Sequence, residues 1–187
     1  DNSLIISIGG NGQAVVTAKT FDDGSTDNCC IDKYLVKRMS EPDSAFNKTI
    51  TFTCDDAGKT IPVILKVVDC SGNENTCMIQ TDIQDKLPPS IICPPDVTTT
   101  CPVDLNNLAQ FGSPSSNDNC GNVTIKETNN VQLSSCGTGI IKRVFTATGA
   151  DGKNATCTQL IEVKSSVPFS LNDITWPKDY EAQGCTS

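Results

Sequence analysis

Histidine is missing altogether from this sequence, and no two cysteines stand in a Cys-x-x-Cys pair. Both absences bear on the eleven cysteines that are there. Zinc and iron–sulfur sites draw on thiolates at short spacing or on imidazole partners, and neither is offered. A catalytic thiol wants a base beside it, for which histidine is the usual side chain. The cysteines are therefore read as disulfide-forming, which implies an extracellular or cell-surface setting, because such bonds persist only where surroundings are oxidising. Triad hydrolysis falls with the histidines, and there is no phosphate-cradling glycine loop. The adjacent carboxylates Asp22 and Asp23 share one turn and so do not flank a sugar bond. The chain reads as a protein without catalytic activity.

Basic residues are also scarce: 14 Lys and Arg stand against 22 Asp and Glu, a net charge of −8. Nucleic-acid binding demands a basic face, so that partner is excluded. No apolar run reaches the length of a membrane span, and the chain is expected to be a mature segment without its secretion leader. Aromatic residues make up only 5% of the chain, so any core is thin and needs staples, a role the cysteines fill.

What the sequence has in quantity is β-formers. Fifty of the 187 residues are Val, Ile or Thr, which favours strands over helices. Alternating runs bounded by Gly, Pro, Asn and Asp recur every 8 to 12 residues or so, the pattern of an all-β sandwich. Candidate strands are LIISI, QAVVTA, KYLVKR, TITFTC, VILKVVD and CMIQTDI, then SIICPP, DVTTT, NVTIKET, IIKRVFTAT and CTQLIEV.

The two halves repeat one another. Asp27-Asn28-Cys29 returns as Asp118-Asn119-Cys120. Cys54, VILKVVD, the turn at Ser71-Gly72-Asn73 and Thr76-Cys77 return as Cys136, IIKRVFTAT, the turn at Asp151-Gly152 and Thr156-Cys157. Ile92-Cys93-Pro94-Pro95-Asp96 with Cys101 is echoed by Thr175-Trp176-Pro177-Lys178-Asp179 with Cys185. The expected organisation is a first module over 1–86 lacking its opening strand, a second over 87–167 and the start of a third over 168–187, so the chain reads as a window on a longer protein. Prolines in DKLPPS and SSVPFS mark stiff connections.

These motifs together, FDDGSTDNC, VVDCSGNENTC with QDKLPP, ICPPDV, SNDNCG, CGTGIIKRVFTAT and ITWPKD, resemble the HYR (hyalin-repeat) and related immunoglobulin-like repeats of very large secreted Bacteroidetes proteins, such as those of the Saprospiraceae. The resemblance implies an all-β fold of tandem Ig-like sandwich modules, disulfide-stapled, outside the cell, acting in adhesion or as spacers. The second module departs from the pattern in carrying Gly149 and Asp151 where relatives place Asp and Cys. The resemblance also implies disulfides: Cys93 with Cys157, Cys29 with Cys54, Cys120 with Cys136, and Cys30 with Cys70 as an extra staple. On that scheme Cys77 looks for a partner just upstream of residue 1 and Cys185 for one in the third module, while Trp176 removes the Cys93-type bond there. Cys101 is left as a free buried thiol, or else the pairings within the second module are permuted.

Carboxylates and amides cluster at Asp22, Asp23, Asp27 and Asn28, and at Asp69, Asn73, Asp82 and Asp85. Structural Ca²⁺ takes six to eight oxygens from such a mixture, and DIQDKLPP resembles the acidic linkers of cadherin-type modules. Asp118, Asn119 and Asp151 form a sparser set. Asx turns explain the same residues without an ion. Asp43-Ser44-Ala45 resembles a Bacteroidetes O-glycosylation signal, making Ser44 a candidate acceptor. Sequons at Asn47, Asn122 and Asn154 are no more than chance supplies.

The expected role is structural or adhesive, within a cell-surface or filament-forming protein. Its partners would be neighbouring repeats, other copies in a fibre, and a surface protein or glycan ligand. The alternative is a spacer or carbohydrate-binding accessory module of a secreted enzyme. Against the latter, Trp176 is the one tryptophan and aligns with a core cysteine. Strand exchange between copies through residues 172 to 185 is a further possibility, since exposed sheet edges accept added strands.

Overall fold

The computed structural model describes residues 3–166 and 171–175. Trp176, Cys185 and most of the expected third module lie outside the described residues.

The first half is built from β1 (Ser3–Ile8), β2 (Gln13–Thr17), β3 (Ile31–Arg38), β4 (Thr49–Thr53), β5 (Thr60–Asp69) and β6 (Glu74–Asp85). One sheet has the order β1-β6-β5-β3, and the antiparallel pair β2-β4 forms the facing layer. β1 runs parallel to β6, Ile8 opposite Asp85, while β5 pairs antiparallel to β3 and β6. Side chains on a strand alternate between faces. In β4 this buries Ile50 and Phe52 and exposes Thr49 and Thr51. Ile8, Val36, Val63, Leu65 and Ile83 meet those two in the core.

The second half repeats the plan with β7 (Ser90–Ile92), β8 (Val97–Thr100), β9 (Ser115–Asn117), β10 (Thr124–Leu133), β11 (Gly139–Thr148) and β12 (Asn154–Lys164). Its main sheet is β10-β11-β12-β8, again with the first long strand, β8, parallel to the last. The facing layer is thinner, because only the three-residue strands β7 and β9 pair there. A loop at Ser134–Thr138 joins β10 directly to β11, so nothing takes the place of β4. The apolar core shrinks to match, centred on Leu108, Ile141, Ile161 and Val163.

Two polar side chains fill the remaining space. Arg143 is 1% exposed and Gln159 is fully buried. The Arg143 guanidinium donates to Glu127 Oε1 (2.8 Å) and Oε2 (3.1 Å), to the Gly112 carbonyl (3.0 Å) and to Gln159 Oε1 (2.7 Å). Gln159 donates in turn to the carbonyls of Pro95 (2.7 Å) and Phe111 (2.8 Å). A buried charge is tolerable only when so fully partnered.

Disulfides join Cys30 to Cys70, Cys93 to Cys157 and Cys54 to Cys120. The expected Cys29–Cys54 and Cys120–Cys136 bonds do not form, and Cys29 and Cys136 are free and exposed. Strand length explains why. Cys29 sits beside Cys30, which is tied to Cys70 past the end of β5, whereas Cys54 precedes the start of β5. Ten extended residues put about 33 Å between those ends, and a disulfide tolerates Cα atoms no more than about 7 Å apart. β11 separates Cys136 from Cys120 in the same way. Cys77 is also free and exposed, and Cys101 is free and half-buried.

Candidate functional site at the module junction

The two sandwiches meet end to end at Asp85–Pro89, and the second module's turns close on the first module's tip. Asp85 ends β6 and accepts the Leu87 N–H at 3.1 Å, forming an Asx turn. Pro88 and Pro89 follow, two residues with fixed φ and no N–H to donate.

Asn119 reaches back across the boundary. Its Nδ2 donates to Asp85 Oδ1 at 3.1 Å and to the Gly9 carbonyl at 3.3 Å. Lys153 Nζ donates to the Asp85 carbonyl at 2.7 Å and is paired with Asp151. That pairing lowers the Asp151 pKa below the usual carboxylate range, hydrogen bonding to Lys153 being the largest cause. Asp118 caps the Cys120 N–H at 2.8 Å through Oδ1, while its Oδ2 is buried with no protein partner. Gly12 has φ +76°, and a Cβ there would stand 3.0 Å from the Asn119 carbonyl, so any side chain would push the second module away.

The Cys54–Cys120 bond, with Cα atoms 4.9 Å apart, closes the contact covalently. Both cysteines pack against the first module's core. The second module shows how Cys120 comes to be available. Its turn Gly149–Lys153 copies Asp69–Asn73, with Gly149 N to Lys153 O and Asp69 N to Asn73 O both 2.9 Å. In that alignment Ala150, not Asp151, stands where Cys70 does. A Cβ on Gly121 would lie 3.8 Å from Ala150 Cβ, so Gly121 and Ala150 replace the Cys30–Cys70 pair together and leave Cys120 to bond elsewhere. Beside the bond lies an open cleft of about 630 Å³ flanked by Asp85, Asp151 and Lys153.

No protein-family model matches the chain. No curated protein matches it either. Among solved structures it is similar to protocadherin gamma B7 extracellular cadherin domains 1–4, at 14% identity and a TM-score of 0.37, over 88% of this chain and 49% of that one. It is also similar to Drosophila N-cadherin EC1–4, at 12% identity and a TM-score of 0.36, over 87% of this chain and 48% of that one. A third similarity is to the M60 catalytic domain with CBM51-1 and CBM51-2 of Clostridium perfringens ZmpB, at 19% identity and a TM-score of 0.27, over 80% and 14%. The chain thus spans about half the length of the cadherin structures and far less of the third. At such scores these likenesses carry no functional argument.

The expected calcium ligands are spread over several places in the fold. Asp22 is bound by Lys19 Nζ at 2.7 Å and by the Ser25 N–H at 3.0 Å, contacts that hold its pKa down to about 2. Asp27 accepts the N–H groups of Cys29 and Cys30. Asp69 accepts Ser71 N–H and both Asn73 N–H and Nδ2. Asp27, Asp69 and Asn73 do border one cleft of about 410 Å³, while Asp23 lies in another with Asp22. Asn28 precedes Cys29 on an exposed loop. Asp82 accepts Thr60 Oγ1 at 2.6 Å on β6, and Asp85 is at the junction. About 36 Å of β6 separates the Asn73 turn from Asp85. Among the described residues no three acidic or thiol groups are set to hold a metal ion. The carboxylates close turns, and the chain's own Lys153 ammonium occupies the junction.

Ser44 lies exposed in the 3-10 turn Asp43–Ala45, open to modification. Sequence reasoning missed the junction bond and the Arg143–Gln159 pair. The latter had a signal, since Arg143 holds an inward position in the alternation Ile141, Arg143, Phe145, Ala147.

Proposed function

We propose that this chain is a non-catalytic structural segment of an extracellular surface or filament-forming protein, in which successive sandwich modules are locked end to end so that a binding tip stands away from the cell. One observation carries the reading: the junction is closed by the Cys54–Cys120 disulfide as well as by hydrogen bonds from Asn119 and Lys153. A flexible tether between independent domains has no use for a covalent cross-brace, whereas a stiff stalk does. Three disulfides support an oxidising location. The hyalin-repeat-like motifs support the same assignment, with neighbouring repeats and other copies as partners and a surface protein or glycan at the tip. The absence of histidine from the sequence supports a role without catalysis.

Small-angle scattering tests the stiffness. The oxidised chain should scatter as one rigid two-module body whose maximum dimension is independent of temperature below melting. The double variant Cys54→Ser/Cys120→Ser should keep both sandwiches and broaden the distance distribution. An oxidised chain that scatters as two freely jointed beads would overturn the stalk reading.

A further inference from the structure

Two free thiols of the second module stand at the same end of its sandwich. Cys101 follows β8, where its N–H donates to the Lys164 carbonyl at 3.0 Å. It is half-buried and packs with Leu133 against the cluster of Leu108, Ile141, Ile161 and Val163. Cys136 is exposed in the loop immediately after Leu133, a tight turn closed by Ser134 N to Thr138 O at 2.8 Å and Gly137 N to Ser134 O at 2.9 Å. This loop lies directly over Cys101: a Cβ built on Gly137 would stand 3.4 Å from Cys101 Cβ. Bonded cysteines hold their Cβ atoms about 3.5–4.5 Å apart. Cys136 is one residue, about 3.8 Å of backbone, from the position already at that distance.

From this geometry we infer that Cys101 and Cys136 form a fourth disulfide, pinning the β10–β11 hairpin to the end of β8. The first module gives an independent reason. There too the segment after the opening strand meets the connection into the long central strand, and a Cβ on Gly12 would lie 3.2 Å from Cys54 Sγ. That segment, Gly9-Gly10-Asn11-Gly12, has no cysteine. Cys54 therefore bonds outward to Cys120, whereas Cys136 finds Cys101 within its own module. In oxidation the exposed Cys136 thiolate attacks a disulfide-bearing oxidant, such as a small-molecule disulfide, and displaces one thiol. Cys101 then attacks Cys136 Sγ and displaces the second. Two S–H bonds become one S–S bond, and the oxidant takes up both electrons and both protons as two thiols.

Disulfide mapping of the intact chain, refolded in a mixture of reduced and oxidised glutathione and alkylated before digestion, decides the matter. Cleavage after Lys126 parts Cys101 from Cys136, and cleavage at Asp96, Asp104 and Asp118 parts Cys101 from Cys93 and Cys120. The expected result is a Cys101 peptide joined to a Cys136 peptide, lost on reduction. In Cys101→Ser, Cys136 should become fully alkylated. Recovery of both Cys101 and Cys136 in alkylated form from the oxidised wild-type chain would overturn the inference. So would Cys136 joined to Cys29 of a second copy, seen as a dimer on a non-reducing gel. Neither result touches the Cys54–Cys120 bond, so the stalk reading stands or falls separately.

Discussion

Replacing Arg143 with leucine probes how the second sandwich stays folded with so little apolar core. The substitution keeps bulk and removes the donors to Glu127, Gly112 and Gln159. Glu127 is one-third exposed and recovers water, so its loss is small. Gln159 Oε1 is sealed in, and a buried acceptor stripped of its donor costs about 1–3 kcal/mol. Breaking a buried ion pair from one side costs about 3–5 kcal/mol. Glu127 is rehydrated, so the two costs do not add in full and the loss comes to about 3 kcal/mol. For a sandwich of this size each kcal/mol moves the midpoint by about 4–8 °C, so calorimetry should show the second module melting about 12–24 °C lower. The double variant Arg143→Leu/Gln159→Leu should lose at least about 1 kcal/mol less than the sum of the two single variants, because that sum counts the Arg143–Gln159 bond twice. A single variant that melts within about 2 °C of wild type, or a double variant whose loss is the plain sum, would refute the reasoning.

Other outcomes follow from the same structure. Phe52→Ala, emptying a fully buried site in the first core, should cost about 3–5 kcal/mol in denaturant unfolding. Removing the Cys30–Cys70 bond, which spans 40 residues, should cost up to about 4 kcal/mol by the same measurement. Asp22, Asp56 and Glu127 all have folded-state pKa values lowered by Lys19, Arg38 and Arg143, respectively. Their contribution is complete above the unfolded carboxylate range and disappears as pH falls through the folded values, about 2 for Asp22. Thermal midpoints should thus fall below about pH 4 and stay level between pH 5 and 8, where no histidine titrates. EDTA should leave the midpoint unchanged, and a rise of several degrees on adding calcium would contradict the placement of the carboxylates described above.

Strands were the legible part of the sequence, because alternation is written into runs such as TITFTC and IIKRVFTAT. β9, three residues of Ser-Ser-Asn, is too short and polar to carry a pattern. The repeat between the halves was equally legible, yet it misled the pairing of cysteines. Matching Cys54 to Cys136 and Cys29 to Cys120 says nothing of which end of a 10-residue strand each occupies, and that distance forbids both expected bonds. The candidate calcium ligands were legible only as a list: Asp27, Asp69 and Asp85 follow one another along the chain, while in the fold each accepts a nearby N–H within its own turn. The Asn119 contacts to Gly9 and Asp85 join residues 110 and 34 apart and leave no local trace.

The central claim is that two sandwiches are bonded to each other across their junction, and mapping the Cys54 partner in the oxidised chain tests it most directly. Digestion after Lys48 and Lys59 releases Cys54 in a short peptide. The account predicts that this peptide emerges joined to the one bearing Cys120. Recovery of it joined to Cys29, or alkylated and alone, would contradict the account.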